Sequence, residues 1–191
     1  LAFEWTLSQD LSNPEDFYKL THANHYCVQK GTSKIQKTLH YYASCNFNDI
    51  QSLQDTPLGK SLNYHINILL EFYDRLTGNN LTEEYQNSKA HPQIIHYPQG
   101  GGYFAKHTHS LYPNLIGVIC SISKYGLDYF SGGTGFETPD GQLIDVEEIH
   151  DAGDVALFRY DLPHWVGSVD TEMELHVDRP GGRWTLILPH Y

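Results

Sequence analysis

The sequence predicts a mainly β protein with helices packed outside the sheets. Two observations lead there. Short runs of β-branched residues, separated by Gly/Pro clusters, fill the second half of the chain, while a three-to-four spacing of apolar residues marks the first. A third observation is size: 191 residues amount to one domain at about 150 residues each, enough chain for one sizeable core. The character changes near residue 92. Residues 1–91 read as a mostly helical buttress and 92–191 as a sandwich or barrel.

The helical signals come first. Asn13-Pro14-Glu15-Asp16 pairs a capping Asn with Pro at the first helical position and acids in the first turn. Lys30 to Lys37 reads as a solvated loop or helix face. From Leu58 to Leu76, the positions Leu62, His65/Ile66, Leu69/Leu70, Tyr73 and Leu76 recur at helical spacing. Gly78-Asn79-Asn80 then breaks the chain, and Leu81-Thr82-Glu83-Glu84 starts a short helix.

The strand signals follow. Ile94 to Tyr97 lies between Pro92 and Pro98, and Pro98-Gln99-Gly100-Gly101-Gly102 is a turn. Tyr103 to His109 can be extended. Leu115 to Ser123 is rich in β-branched residues, Val155 to Phe158 reads as a buried strand, and Val166 to Val169 and Trp184 to Leu188 complete the set.

Composition narrows the function. The net charge of −11 repels phosphate backbones, which argues against nucleic-acid binding. No apolar run approaches the ~20 residues of a membrane span, and no charged-then-apolar leader opens the chain. Leu1 stands where a Met would begin a native chain, so a trimmed start is expected. Cys27, Cys45 and Cys120 are few, odd in number and without CxxC spacing, which makes a reducing cytoplasm the default compartment. Cys120 reads as an inert buried hydrophobe. A homodimer is left open.

Histidine carries the chemistry. In His107-Thr108-His109 the two imidazoles sit at i and i+2, one face of an extended segment. His164, in Leu162-Pro163-His164-Trp165-Val166, opens a distant strand. Two imidazoles from one strand and one from another make a three-point site with open positions. Such a site suits Fe(II) and would also accept Zn, Cu, Co or Ni. Trp165 would wall the pocket beside His164.

Residues 94–191 resemble the iron(II)- and 2-oxoglutarate-dependent oxygenases. The pieces are Tyr97-Pro98 with Gly100-Gly101-Gly102-Tyr103-Phe104 before His107, then Gly132-Gly133-Thr134-Gly135-Phe136. Next come Gly153-Asp154 to Phe158 with Pro163-His164, and finally Gly182-Arg183-Trp184-Thr185. The resemblance implies a double-stranded β-helix, a jelly-roll and cupin-like core buttressed by helices. It implies Fe(II) held by His107, His109 and His164, with 2-oxoglutarate as co-substrate and O2 oxidising a small molecule by hydroxylation or desaturation. The far carboxylate of 2-oxoglutarate would rest on Arg183 and Thr185, and Tyr97 and Tyr103 could bond co-substrate or substrate. Arg159 is a rival anchor, for a substrate carboxylate. The alternative for Arg183 is a structural pairing with an acid such as Asp154 or Asp161.

The chain departs from the family pattern at His109, where HxD or HxE is usual. A third imidazole leaves the site one unit more positive than a carboxylate would. Asp128 and Glu137 are the nearby acids that could replace the missing ligand, but neither holds the i+2 position. With His109 filling that place no vacancy remains for chloride, so halogenation is not expected. Two further readings stand beside the first: a three-His metal oxygenase that does not use 2-oxoglutarate, as in some cupin-type dioxygenases, and a non-catalytic jelly-roll binding module.

Overall fold

The structure is a computed structural model, and it describes residues 40–49, 51–87, 89–176 and 179–188. The Asn13-Pro14 and Lys30–Lys37 readings fall outside these residues.

Among the described residues, ten strands build two five-stranded antiparallel sheets, the jelly roll expected from the resemblance. In chain order they are β1 (His40–Tyr41), β2 (Ala43–Asn46), β3 (Gln93–Pro98), β4 (Tyr103–His107), β5 (Ile116–Ser121), β6 (Gly133–Glu137), β7 (Leu143–Asp145), β8 (Val155–Arg159), β9 (His164–Gly167) and β10 (Gly182–Ile187). One sheet runs β1-β4-β9-β6-β7 and the other β2-β3-β10-β5-β8. The helices are α1 (Gln51–Gln54), α2 (Pro57–Thr77) and α3 (Leu81–Gln86).

Helix α2 forms where the spacing predicted it. The Thr56 hydroxyl accepts the Gly59 N–H at 3.0 Å, Pro57 opens the first turn, and Gly78 ends it in the left-handed region with φ 73°. A Cβ on Gly59 would lie 1.9 Å from the Leu53 carbonyl oxygen, so the α1–α2 corner needs glycine there. Helix α3 takes its cap from a distance: the Asp74 carboxylate accepts the N–H groups of Leu81 and Thr82 at 2.6 and 2.9 Å.

The strand period of two then sorts the second sheet. Ile94 and Leu186 face outward and pack under Ile66, Leu70, Tyr73 and Leu81 of the helices. Ile95, Tyr97 and Ile187 face the barrel interior with Val166 and Val169. One sheet therefore has a helix-covered outer face and an inner face left for a site.

Beside its helices, the first half supplies one strand to each sheet, β1 and β2, by pairing with β4 and β3. Two expectations change. Val155 to Phe158 is a strand but not a fully buried one. It is an edge, and Val155 and Leu157 are exposed on its outer face. The extended segment from Tyr103 ends at His107, so His109 sits just past the strand. Strand β7 went unread, since Leu143–Asp145 is three exposed residues with no alternating signal.

Candidate metal centre

Strands β4 and β9 lie side by side, and His107 and His164 are direct cross-strand partners. His109 reaches the same point from beyond β4, where its N–H donates to the Tyr160 carbonyl at 3.3 Å. The three imidazoles offer ligand atoms that all lie within 4.8 Å of one another, and ring centroids stand 4.2 to 5.2 Å apart. They form the one such cluster of His, Cys, Asp and Glu among the described residues.

Local bonds set the tautomers of two of the rings. His107 Nδ1 donates to the Ala105 carbonyl at 2.8 Å, and His164 Nδ1 donates to the Leu162 carbonyl at 2.8 Å. In both, the proton is held on Nδ1 and Nε2 keeps its lone pair, the arrangement a metal-ligating imidazole needs. Aromatic rings hold the imidazoles in place. Phe104 stacks on His107 at 4.0 Å, Tyr160 on His109 at 4.3 Å, and Phe158 leans on His164 at 4.7 Å.

Burial keeps two of the imidazoles neutral, those of His109 and His164. With His164 alongside, it holds the His109 imidazole down to about 4. It also lowers His164, against the opposing pull of the Leu162 carbonyl. Neutral imidazoles are the form that binds a cation. These residues fit a divalent transition metal: three nitrogen donors on one side, open positions on the other, and ordered rings behind.

Those open positions face a cavity of about 530 Å³, within the range of small-molecule sites. Its walls are mostly apolar and aromatic, including Tyr42, Ile95, Tyr97, Val118, Ile187 and Leu188. No Lys, Arg, Asp or Glu lines it among the described residues.

Trp165 borders this cavity, with the Lys106 ammonium 4.8 Å over its ring. Tyr97 borders it too, buried, with its phenol pushed well up by burial. Tyr103 lies in a separate outer groove with Lys106 and Ser168. Arg159 is an exposed side chain paired with Asp161 at 2.7 Å, away from the cavity. Asp128 bonds the Lys124 N–H and Glu137 pairs with Lys106, so neither stands in as a metal ligand.

Arg183 and Thr185 are buried but do not line the cavity. The guanidinium is taken up by a residue the sequence did not single out: Arg183 pairs with Glu147, not Asp154 or Asp161, with Nη2 at 3.0 Å and Nε at 3.2 Å from one carboxylate oxygen. Arg183 also donates to the Thr134 hydroxyl. No local signal marks Glu147 in Val146-Glu147-Glu148-Ile149. The residues therefore fit 2-oxoglutarate at one end only. The histidines fit the iron that would chelate its oxo-acid end, while no free cation among the described residues meets its far carboxylate.

No protein-family model matches the chain, and no curated protein matches it. Solved structures do. A prolyl-4-hydroxylase from Pseudomonas putida superposes with a TM-score of 0.54 at 14% identity, covering 78% of this chain and 70% of that one. A prolyl hydroxylase from Trichoplax adhaerens, in complex with a hypoxia-inducible-factor oxygen-degradation-domain peptide fragment, gives 0.56 at 11% identity, covering 98% and 74%. The chain thus has the jelly-roll fold of the prolyl hydroxylases. Among the described residues no helix is long and apolar enough to cross a membrane.

Proposed function

We propose that the protein is a non-haem iron oxygenase acting on a small organic molecule. His107, His109 and His164 would hold Fe(II), and the adjoining cavity would hold the substrate. The observation that carries this reading is the meeting of three ring-packed imidazoles at the wall of an apolar cavity. When bound, the iron supplies activation of O2, chemistry that no side chain provides.

The chain's residues do the rest. The carbonyls of Ala105 and Leu162 orient two ligands. Tyr97 and Trp165 would contact substrate, and the apolar walls exclude water from the reacting centre. Use of 2-oxoglutarate is the finer expectation of the resemblance; the prolyl hydroxylase fold favours it, and the pairing of Arg183 with Glu147 opposes it. Cysteine usage keeps the cytoplasm as the expected compartment.

Anaerobic titration with Fe(II), followed by O2 uptake measured with and without 2-oxoglutarate, tests the proposal. One iron per chain and metal-dependent O2 uptake in the presence of a turned-over small molecule are expected. No stoichiometric metal, and no rise in thermal stability on adding it, would leave a binding module in place of an oxygenase.

A further inference from the structure

Arg183 is buried to 1% exposure and Glu147 to 3%. The Glu147 carboxylate accepts from three donors, Arg183 Nε, the Thr134 N–H and the Tyr129 hydroxyl, with Arg183 Nη2 paired to it at 3.0 Å. The space for this carboxylate is built into the backbone. Gly133 has φ +119°, and a Cβ there would lie 2.0 Å from Glu147 Cγ. On its other side the guanidinium lies over the Tyr97 ring, 5.7 Å from its centroid, and that residue borders the cavity.

We infer that Glu147 occupies, from within the chain, the guanidinium seat where the far carboxylate of 2-oxoglutarate would rest. The metal site then works without that co-substrate and takes a neutral or singly charged apolar substrate. A dicarboxylate entering beside Glu147 would place two anions on one buried cation, which low-dielectric surroundings oppose. No Lys or Arg lines the cavity among the described residues.

The seat itself stands apart from the oxygenase reading; the choice of substrate rests on it. The test therefore has one arm that needs no metal. Wild-type protein, metal-free and loaded with Co(II), is titrated with 2-oxoglutarate up to about 1 mM, the top of the ordinary KM range, with melting temperature and the Co(II) visible spectrum as readouts. No shift in either is expected. A saturable rise in melting temperature, abolished in Arg183→Lys, would overturn the inference.

In the second arm Glu147→Ala uncovers the guanidinium. The variant should melt lower than wild type, and acetate or 2-oxoglutarate, but not chloride at equal ionic strength, should restore part of the loss. Failure of both carboxylates to raise it would overturn the assignment of the seat. If this variant does not fold, the wild-type titration decides alone. Absence of Co(II) binding would count against the proposed function, and the metal-free titration and the acetate result would still decide for or against Glu147.

Discussion

Two neighbouring levels of the barrel interior meet on strand β6, one step of two residues apart. At Phe136, which is paired with His164, the interior holds three imidazoles among Phe104, Phe158 and Tyr160. At Thr134, paired with Val166, it holds a full positive and a full negative charge, Arg183 and Glu147, with Tyr129 closing the group. The first level is polar but uncharged, and its donors point at open space. The second is charged, and the donors and acceptors described there point at one another. Burial acts on both, with opposite results. It lowers His109 and His164, leaving their lone pairs free for a cation. Burial alone would raise Glu147, but the Arg183 charge, the Thr134 N–H and the Tyr129 hydroxyl outweigh it and hold the carboxyl below its ordinary value. A buried charge met from within the chain is thus structural, while buried neutral donors aimed at a cavity are available for chemistry.

The largest expected effect breaks the first level. His164→Ala should weaken Co(II) or Fe(II) binding by more than about 100-fold, since losing even an outer partner of a ligand costs 10- to 100-fold. Equilibrium metal titration checks it, and unchanged affinity would remove His164 from the site. The second prediction breaks the charged level. Arg183→Met leaves Glu147 buried and unpaired and should destabilise the fold by about 3–5 kcal/mol in urea unfolding. The double variant with Glu147→Leu should recover most of that loss.

The third uses a histidine outside both levels. His96 is buried, stacked on Trp184 at 4.1 Å, and held down to about 4 by burial, against a bond from Nε2 to the Gly181 carbonyl. A depressed histidine is neutral in the fold and takes up a proton on unfolding. Stability from this residue is full above the unfolded value of ~6.5. It falls as the pH drops toward 4, by up to ~3 kcal/mol for this shift. Acid titration of the unfolding free energy should show that slope, and His96→Phe should flatten it. Fourth, Gly133→Ala should cost about 1–3 kcal/mol, because the added methyl meets Glu147 at a backbone angle that disfavours side chains. Smallest, Thr56→Ala should cost about 1 kcal/mol through the lost α2 cap and leave metal affinity unchanged. It serves as the control for both levels.

Helix α2 was legible because its information is local: a cap, a Pro, a periodic apolar face and a terminal Gly. Even so, the sequence could not say which apolar positions would be used. Ile66, Leu70 and Tyr73 are buried while Leu76 is half exposed, because only the sheet beneath decides the width of the buried stripe. Strands β1 and β2 were not legible, since they are strands through partners on β4 and β3, far along the chain.

The same division runs through the site. His107, His109 and His164 could be picked out from residue type, from i/i+2 spacing and from their place beside strand signals. Arg183 could be picked out as a residue of consequence, but not its partner. An ion pair across 36 residues leaves no periodicity and no motif. The amino-acid sequence by itself determined the β class, the helical cover and the three imidazoles, because these follow from spacing along the chain. Only the tertiary structure decided that Glu147 meets Arg183, that Arg159 stays at the surface, and that the cavity beside the histidines carries no charge among the described residues. Those outcomes depend on which side chains share a buried space, and the order of residues does not state that.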